Sequence, residues 1–233
     1  MMSGSQAANL DDLAAVPVPE YTRSHRPMPY PKMVGYVKHL IDKTIGAPIV
    51  REQYALNKEG QQMFGEMALD VGEKDLLSIG LRSSYNKTVA GGLVAGKHIM
   101  VCDNLQFQGA ALKLVRKNTT NAWRDFERLA ASHVQNALGH FEAMQESDKA
   151  MKALPIGEER GYALLGVAQG RGILKPTQAS VAFQDWKTPR HEEFAERNLW
   201  GLYQAVTEGL KKGAPVQRID RQTKAHDFFE GWL

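Results

Sequence analysis

Between Thr120 and Ala153 the apolar residues fall into one stripe: Trp123, Phe126, Ala130, Val134, Ala137, Phe141 and Met144 recur at steps of three and four. That spacing places them all on one face of an α-helix. At ~1.5 Å of rise per residue the segment runs for about 45 Å. A helix so long with one apolar face has to bury it against a surface of similar size, and a sheet is the natural partner.

The chain upstream supplies the strands. Residues 49–56 and 61–71 read as a hairpin around Asn57-Lys58-Glu59-Gly60, whose residue types tolerate turn geometry. Segments 76–85, 97–103 and 105–115 would continue an antiparallel sheet. Residues 33–44 suit a short helix, with Val34, Val37 and Ile41 on one side. Residues 1–32 read as an extended arm, because Pro17, Pro19, Pro27, Pro29 and Pro31 block regular structure.

Downstream, Thr119 or Thr120 would cap the long helix, and Pro155 with Gly157 would end it. Residues 158–170 predict a shorter helix, Glu192 to Lys212 another, and His226 to Trp232 a final turn; Gly170, Gly172 and Pro176 mark a loop. The expected fold is α+β: an antiparallel sheet packed on a long amphipathic helix, with a helical C-terminal subdomain. Its parts would be the arm at 1–32, sheet plus helix at 33–153, and helices at 154–233 packed in the same domain.

Composition narrows the function classes. A chain of 233 residues with 43% hydrophobic content can bury a full core. No apolar run approaches the ~20 residues of a membrane span, and no signal-peptide pattern opens the chain. The single cysteine, Cys102, excludes an internal disulfide and points to the cytoplasm. The seven histidines are scattered, so neither zinc nor another metal or cofactor is expected. His98 and Cys102 would share a strand face, a packed imidazole and thiol rather than a ligand pair.

Gly91, Gly96 and Lys97 match a phosphate-binding loop up to its last position, where His98 replaces the Ser or Thr that should hold Mg²⁺. That mechanism also requires a helix starting at the lysine. Here Lys97 leads into His98-Ile99-Met100-Val101-Cys102, a strand-like run, so Gly91, Gly92 and Gly96 are expected to form a tight strand connection instead.

Three blocks carry a resemblance. They are Gly80-Leu81-Arg82-Ser83-Ser84, then Ile99 to Gly109 (IMVCDNLQFQG) with Leu114-Val115-Arg116-Lys117-Asn118-Thr119, and Arg197 with Trp200 to Lys211 (WGLYQAVTEGLK). They resemble a family of phages, plasmids and prophages known as a domain of unknown function, number 932. Gln204 stands where that family usually has Asn. The resemblance covers residues 75–230. It implies a protein of mobile elements, working in a host bacterium's cytoplasm if phage-encoded, and it brings no catalytic residues.

Net charge is only +3, yet Arg82 to Arg128 holds Arg82, Lys87, Lys97, Lys113, Arg116, Lys117, Arg124 and Arg128 against Asp103, Asp125 and Glu127. Tyr85, Phe107, Trp123 and Phe126 interleave with them. Cations hold phosphates and flat rings stack on bases, which is how single strands are bound without sequence preference. Phe107, Trp123 and Phe126 fit the core better. Arg82, Tyr85, Lys87, Arg116 and Lys117 form the candidate nucleic-acid site, and the alternative is an ordinary solvated face.

No catalytic set emerges. Glu52 and Glu66, on the two arms of the hairpin, could face each other as metal-binding carboxylates with Asp70 further along. Asp103 and Asn104, at a strand end, form a candidate polar site or simply a turn. The leading expectation is a non-enzymatic DNA-metabolism protein that binds single-stranded nucleic acid, assists annealing or recombination, and forms homo-oligomers. One alternative is a module that inhibits or redirects a host protein such as a defence enzyme, using Trp186, Trp200, Tyr203 and Trp232 as interface anchors. The other is a metal-dependent nuclease.

Overall fold

The computed structural model describes residues 6–23, 25–57, 59–99, 104–107, 121–212 and 215–233, with the backbone alone at 104–107 and 215–219. Among them, six strands form one antiparallel sheet whose spatial order is the chain order: β1 (Gln6–Ala8), β2 (Ile49–Asn57), β3 (Gln62–Leu69), β4 (Leu76–Ser84), β5 (Gly92–Ile99) and β6 (Asn104–Phe107). Two helices, α1 (Leu10–Ala15) and α2 (Tyr30–Thr44), lie between β1 and β2. The long helix α3 (Ala122–Ala153) follows the sheet. The α+β architecture with a helical C-terminal part is therefore present.

Register separates the sheet into two unlike faces, because side chains alternate along each strand. In the rows Glu52↔Met67↔Ile79↔Ala95 and Leu69↔Leu77↔Lys97, one face carries Met63, Met67, Leu69, Leu77, Ile79, Leu81 and Leu93. These pack with Val34, Val37 and Ile41 of α2 and with Phe126, Ala130, Val134 and Phe141 of α3 in one core. The α3 stripe is thus the inner face that its spacing predicts, while Trp123 is only half-buried.

The opposite face carries Arg51, Gln62, Glu66, Ser78, Gly80, Arg82, Ser84, Gly96 and His98 beside Phe64 and Val94. Strands β3, β4 and β5 are nonetheless buried on both faces.

Four further helices complete the fold: α4 (Glu158–Gly170), α5 (Pro176–Lys187), α6 (Leu199–Leu210) and α7 (Pro215–Glu230). They build a second core that includes Ile99 of β5 and Met151 of α3, so they pack on the sheet's end and not as a detached unit. The tightest crossing joins α4 and α5. A Cβ on Gly161 would lie 2.3 Å from Trp186 Nε1, so only glycine admits the indole, whose Nε1 donates to Glu158 O at 3.2 Å.

Several expectations are corrected. The N-terminal segment is no extended arm: β1 pairs with β2, and α1 is capped by Asn9, whose side chain accepts from Asp12 N at 2.9 Å. Leu13, Met28 and Tyr30 are core residues, and α2 starts at Tyr30, with Pro31 tolerated in its first turn. The tight connection is not at Gly92 and Gly96, which lie inside β5; the chain turns over 85–91, with Lys87 at φ 62°.

Residues 176–187 are helical, because Pro176 sits where a first-turn proline costs nothing and Ala179, Ala182 and Trp186 are buried. Glu192 to Lys212 is broken into a short 3₁₀ turn, Glu192–Phe194, and α6. α7 is far longer than one turn. Thr119, Thr120, Cys102 and residues 108–115 lie outside the described residues; at the start of α3, Asn121 makes no side-chain cap.

Candidate nucleic-acid interface

One end of the sheet gathers the β2–β3 turn, the β4–β5 turn and the starts of both α2 and α3. Tyr85 N donates to Gln61 O at 2.9 Å, tying the two turns together. Tyr30, the first residue of α2, stacks on Tyr85 with ring centroids 4.0 Å apart and donates its hydroxyl to Gly60 O at 3.1 Å. Lys32 lies 3.9 Å from the Trp123 ring centre, and one turn on in both helices Tyr36 OH donates to Glu127 O at 3.3 Å. Contacts that advance in step mean α2 and α3 run parallel here, both with their N-terminal ends at this end. Each contributes the partial positive charge of a helix start.

Exposed cations collect around them. Arg26 precedes α2, Lys32 lies in its first turn, Lys87 tips the β4–β5 turn, and Arg124 and Arg128 follow one another on the outer side of α3. Glu20 and Glu59 are the exposed acids of the adjoining loops.

One large ring stands free at this end. Tyr21 is 62% exposed and close enough to Tyr85 to raise the latter's pKa, after burial, which raises it most. It is held there by the Thr22–His25 bridge, with His25 Nε2 donating to Tyr85 O at 3.0 Å. An exposed ring amid cations has what single-strand binding requires: phosphate neutralisation plus a stacking platform.

The residues expected from sequence divide. Lys87 lies on this surface. Tyr85 does not serve as a stacking platform, since it is 2% exposed and both its ring and its hydroxyl are occupied by Tyr30, whose backbone N–H donates to Tyr85 OH at 3.1 Å. Arg82 does not reach the surface either. It points from the opposite sheet face and donates from Nη1 to Asp220 Oδ2 of α7 at 3.1 Å. Arg116, Lys117 and Asp103 lie outside the described residues, as does the side chain of Asn104, whose backbone opens β6 opposite Ile99. Tyr21, Arg26 and Lys32 went unnoticed in the sequence because their segment was read as an arm, although Tyr21 to Lys32 shows the same basic-plus-aromatic pattern.

Elsewhere the polar residues are committed to the fold. Glu52 and Glu66 cannot share a metal, because the register Glu52↔Met67 and Gln53↔Glu66 puts them on opposite faces. Glu52 pairs with Lys38 of α2 at 2.5 Å. Glu66 Oε1 accepts from Ser78 Oγ and is bonded to His98 Nδ1, both at 3.0 Å. Arg51 Nη1 lies 3.2 Å from His98 Nε2. An arginine can only donate, so Nε2 accepts and Nδ1–H donates to Glu66. A bulge at Ile49/Arg51 aims Arg51 onto this face.

At the far end of the sheet, Lys97 donates to Asp148 of α3. Among the described residues no group of three or more His, Cys, Asp and Glu side chains is placed to hold a metal ion.

Comparison with protein-family models, curated proteins and solved structures finds no match for this chain. Among the described residues no helix is long and apolar enough to cross a membrane.

Proposed function

We propose that this protein binds single-stranded nucleic acid without catalysing a reaction on it, through the end of the sheet where α2 and α3 begin. One observation carries the reading: Arg26, Lys32, Lys87 and Arg124 are all exposed at the end where the two helices start, and the Tyr21 ring is exposed beside Tyr85 at the same end. A merely solvated surface needs neither the shared helix direction nor a free ring among the cations. Arg116 and Lys117, just before α3 in the chain, add charge next to the same helix start in sequence. Together with the resemblance to a phage and plasmid family, this supports a role in the DNA metabolism of mobile elements, assisting annealing or recombination as a self-assembling protein.

Fluorescence anisotropy with labelled oligo(dT), a duplex and an RNA strand, plus the solution mass, tests it. The single strand should bind most tightly, and charge reversal of Lys32, Lys87 and Arg124 together should abolish binding at low salt. Unaltered binding in that variant refutes the interface.

A second reading, a module docking on a host protein, has its own observation. Trp232 is 40% exposed beside Phe228, with Arg160 of α4 over the Trp232 ring, Arg171 just past α4 over the Phe228 ring, and Val167 of α4 exposed. A rim of arginine around exposed aromatic surface is typical of protein interfaces. Loss of a pulled-down host partner on Trp232→Ala, in a protein that ignores every oligonucleotide, would favour this reading.

A further inference from the structure

Arg82 lies near the basic end but on the other side of the sheet. It sits opposite Phe64 on β3 and Gly92 on β5, two residues before the strand ends at Ser84 and the Lys87 turn begins. Its side chain is 9% exposed, while that of its partner Asp220 is 42% exposed. The sheet face around it is unusual for a buried surface, with Arg51, Gln62, Glu66, Ser78, Ser84 and His98 set among Gly80 and Gly96.

The helix α7 reads PVQRIDRQTKAHDFFE; Ala225, Phe228 and Phe229 enter the second core, His226 and Phe229 face Tyr203 of α6, and Asp220 meets Arg82 on the sheet. The apolar anchors of α7 thus lie in its later turns, and its earlier part meets the sheet face through the Arg82–Asp220 ion pair, a polar contact of the kind found in transient interfaces. An exposed carboxylate on a nearly buried guanidinium occupies the position a phosphate oxygen would take.

We propose that α7 is a displaceable cover and that Asp220 occupies Arg82 in place of a phosphate. Loading a strand at the basic end then exchanges the Asp220 carboxylate for a backbone phosphate on Arg82 and lifts the first turns of α7 from the sheet. This inference rests on the nucleic-acid reading above and adds its regulation: the same contact that keeps Arg82 off the surface weakens binding until a phosphate competes for it.

The test compares wild type, Asp220→Asn, Arg82→Gln and the double variant, using labelled oligo(dT) across a salt series. Asp220→Asn, nearly isosteric, should raise affinity several-fold with the salt slope unchanged, because the bound state keeps the same phosphate contacts. Arg82→Gln should lower the slope by about 0.7. The double variant should bind like Arg82→Gln, showing that the gain needs the guanidinium.

Amide exchange on the wild-type protein gives an independent readout that does not depend on any variant folding. The first turns of α7 should exchange faster with oligo(dT) bound than without it. If wild type binds through Lys32, Lys87 and Arg124 while Asp220→Asn is silent and α7 exchange does not rise, the cover is refuted and the interface stands. If wild type binds no strand at all, both fall.

Discussion

Lys97 of β5 and Asp148 of α3 form an ion pair closed to solvent at both ends, with the lysine 1% exposed and Asp75 Oδ2 3.7 Å from its Nζ. The lysine of the phosphate-loop pattern is thus a structural tie between sheet and helix. Lys97→Ala should leave ATP affinity unchanged but cost about 3–5 kcal/mol of stability, since Asp148 would remain buried and without its lysine. Replacing both partners with apolar residues of similar size should recover most of that loss. Urea denaturation of the wild type and the two variants checks this, and saturable ATP binding that Lys97→Ala removes would overturn it.

Truncating the helix stripe should be as costly. Phe126 and Phe141 are buried against the sheet, and either one changed to Ala should lose roughly 3–5 kcal/mol. Leu138, on the outer side of α3 and exposed, should tolerate Ala within about 0.5 kcal/mol. Equal costs at Phe141 and Leu138 would mean that α3 is rotated from the orientation described here.

Tyr21 and Tyr85 should exchange the roles that sequence gives them. Tyr85→Ala removes a stacked core ring and the acceptor of Tyr30 N–H, so it should destabilise the fold by about 3 kcal/mol or more. Tyr21→Ala should leave the melting temperature unchanged and weaken oligo(dT) binding by about 1–3 kcal/mol at constant salt slope. Thermal melts and anisotropy on the same samples separate the two effects.

Acid should loosen the helical end. His226 is fully buried, and burial lowers its pKa; Glu230, Asp148 and Asp227 oppose that shift and Lys97 adds to it. Burial also lowers the pKa of His133, its largest cause, against a bond to Leu129 O. A histidine held below its unfolded value of about 6.5 favours the fold while neutral. Its contribution is complete above that pH and is lost as pH falls through and below it toward the folded-state value. Stability should therefore drop by at most about 1.4 kcal/mol per pH unit for each histidine. His226→Leu should flatten part of that slope, and an unchanged slope would show that His226 does not titrate with unfolding.

Long-range order was legible where one periodicity dominates. The α3 stripe follows from its repeated apolar step, the β2–β3 hairpin from the turn residues Asn57 to Gly60, and the α4 boundaries from the breaks at Pro155, Gly157 and Gly170. Pro176 and the N-terminal prolines misled for a shared reason: proline forbids a helix interior but favours a first turn, and the sequence does not say which applies. Arg82 and Tyr85 misled differently. Charge and aromaticity are local properties, whereas burial under Asp220 and Tyr30 depends on residues 138 and 55 positions away. The same basic-plus-aromatic criterion that picked out the buried Tyr85 also describes Tyr21, which is exposed at the same end of the sheet.

The chain-order arrangement of the strands has a consequence in time. Each strand from β2 onward finds its partner already made, and hairpins close within roughly 1–10 μs. α7 follows β6 by roughly a hundred residues, which at about 5–20 residues per second is roughly 5–20 seconds of translation. Through that interval β4 carries Arg82 on the sheet while Asp220 of α7 is still to be synthesised. The nascent protein thus holds Arg82 in place for seconds before the carboxylate that pairs with it has been made.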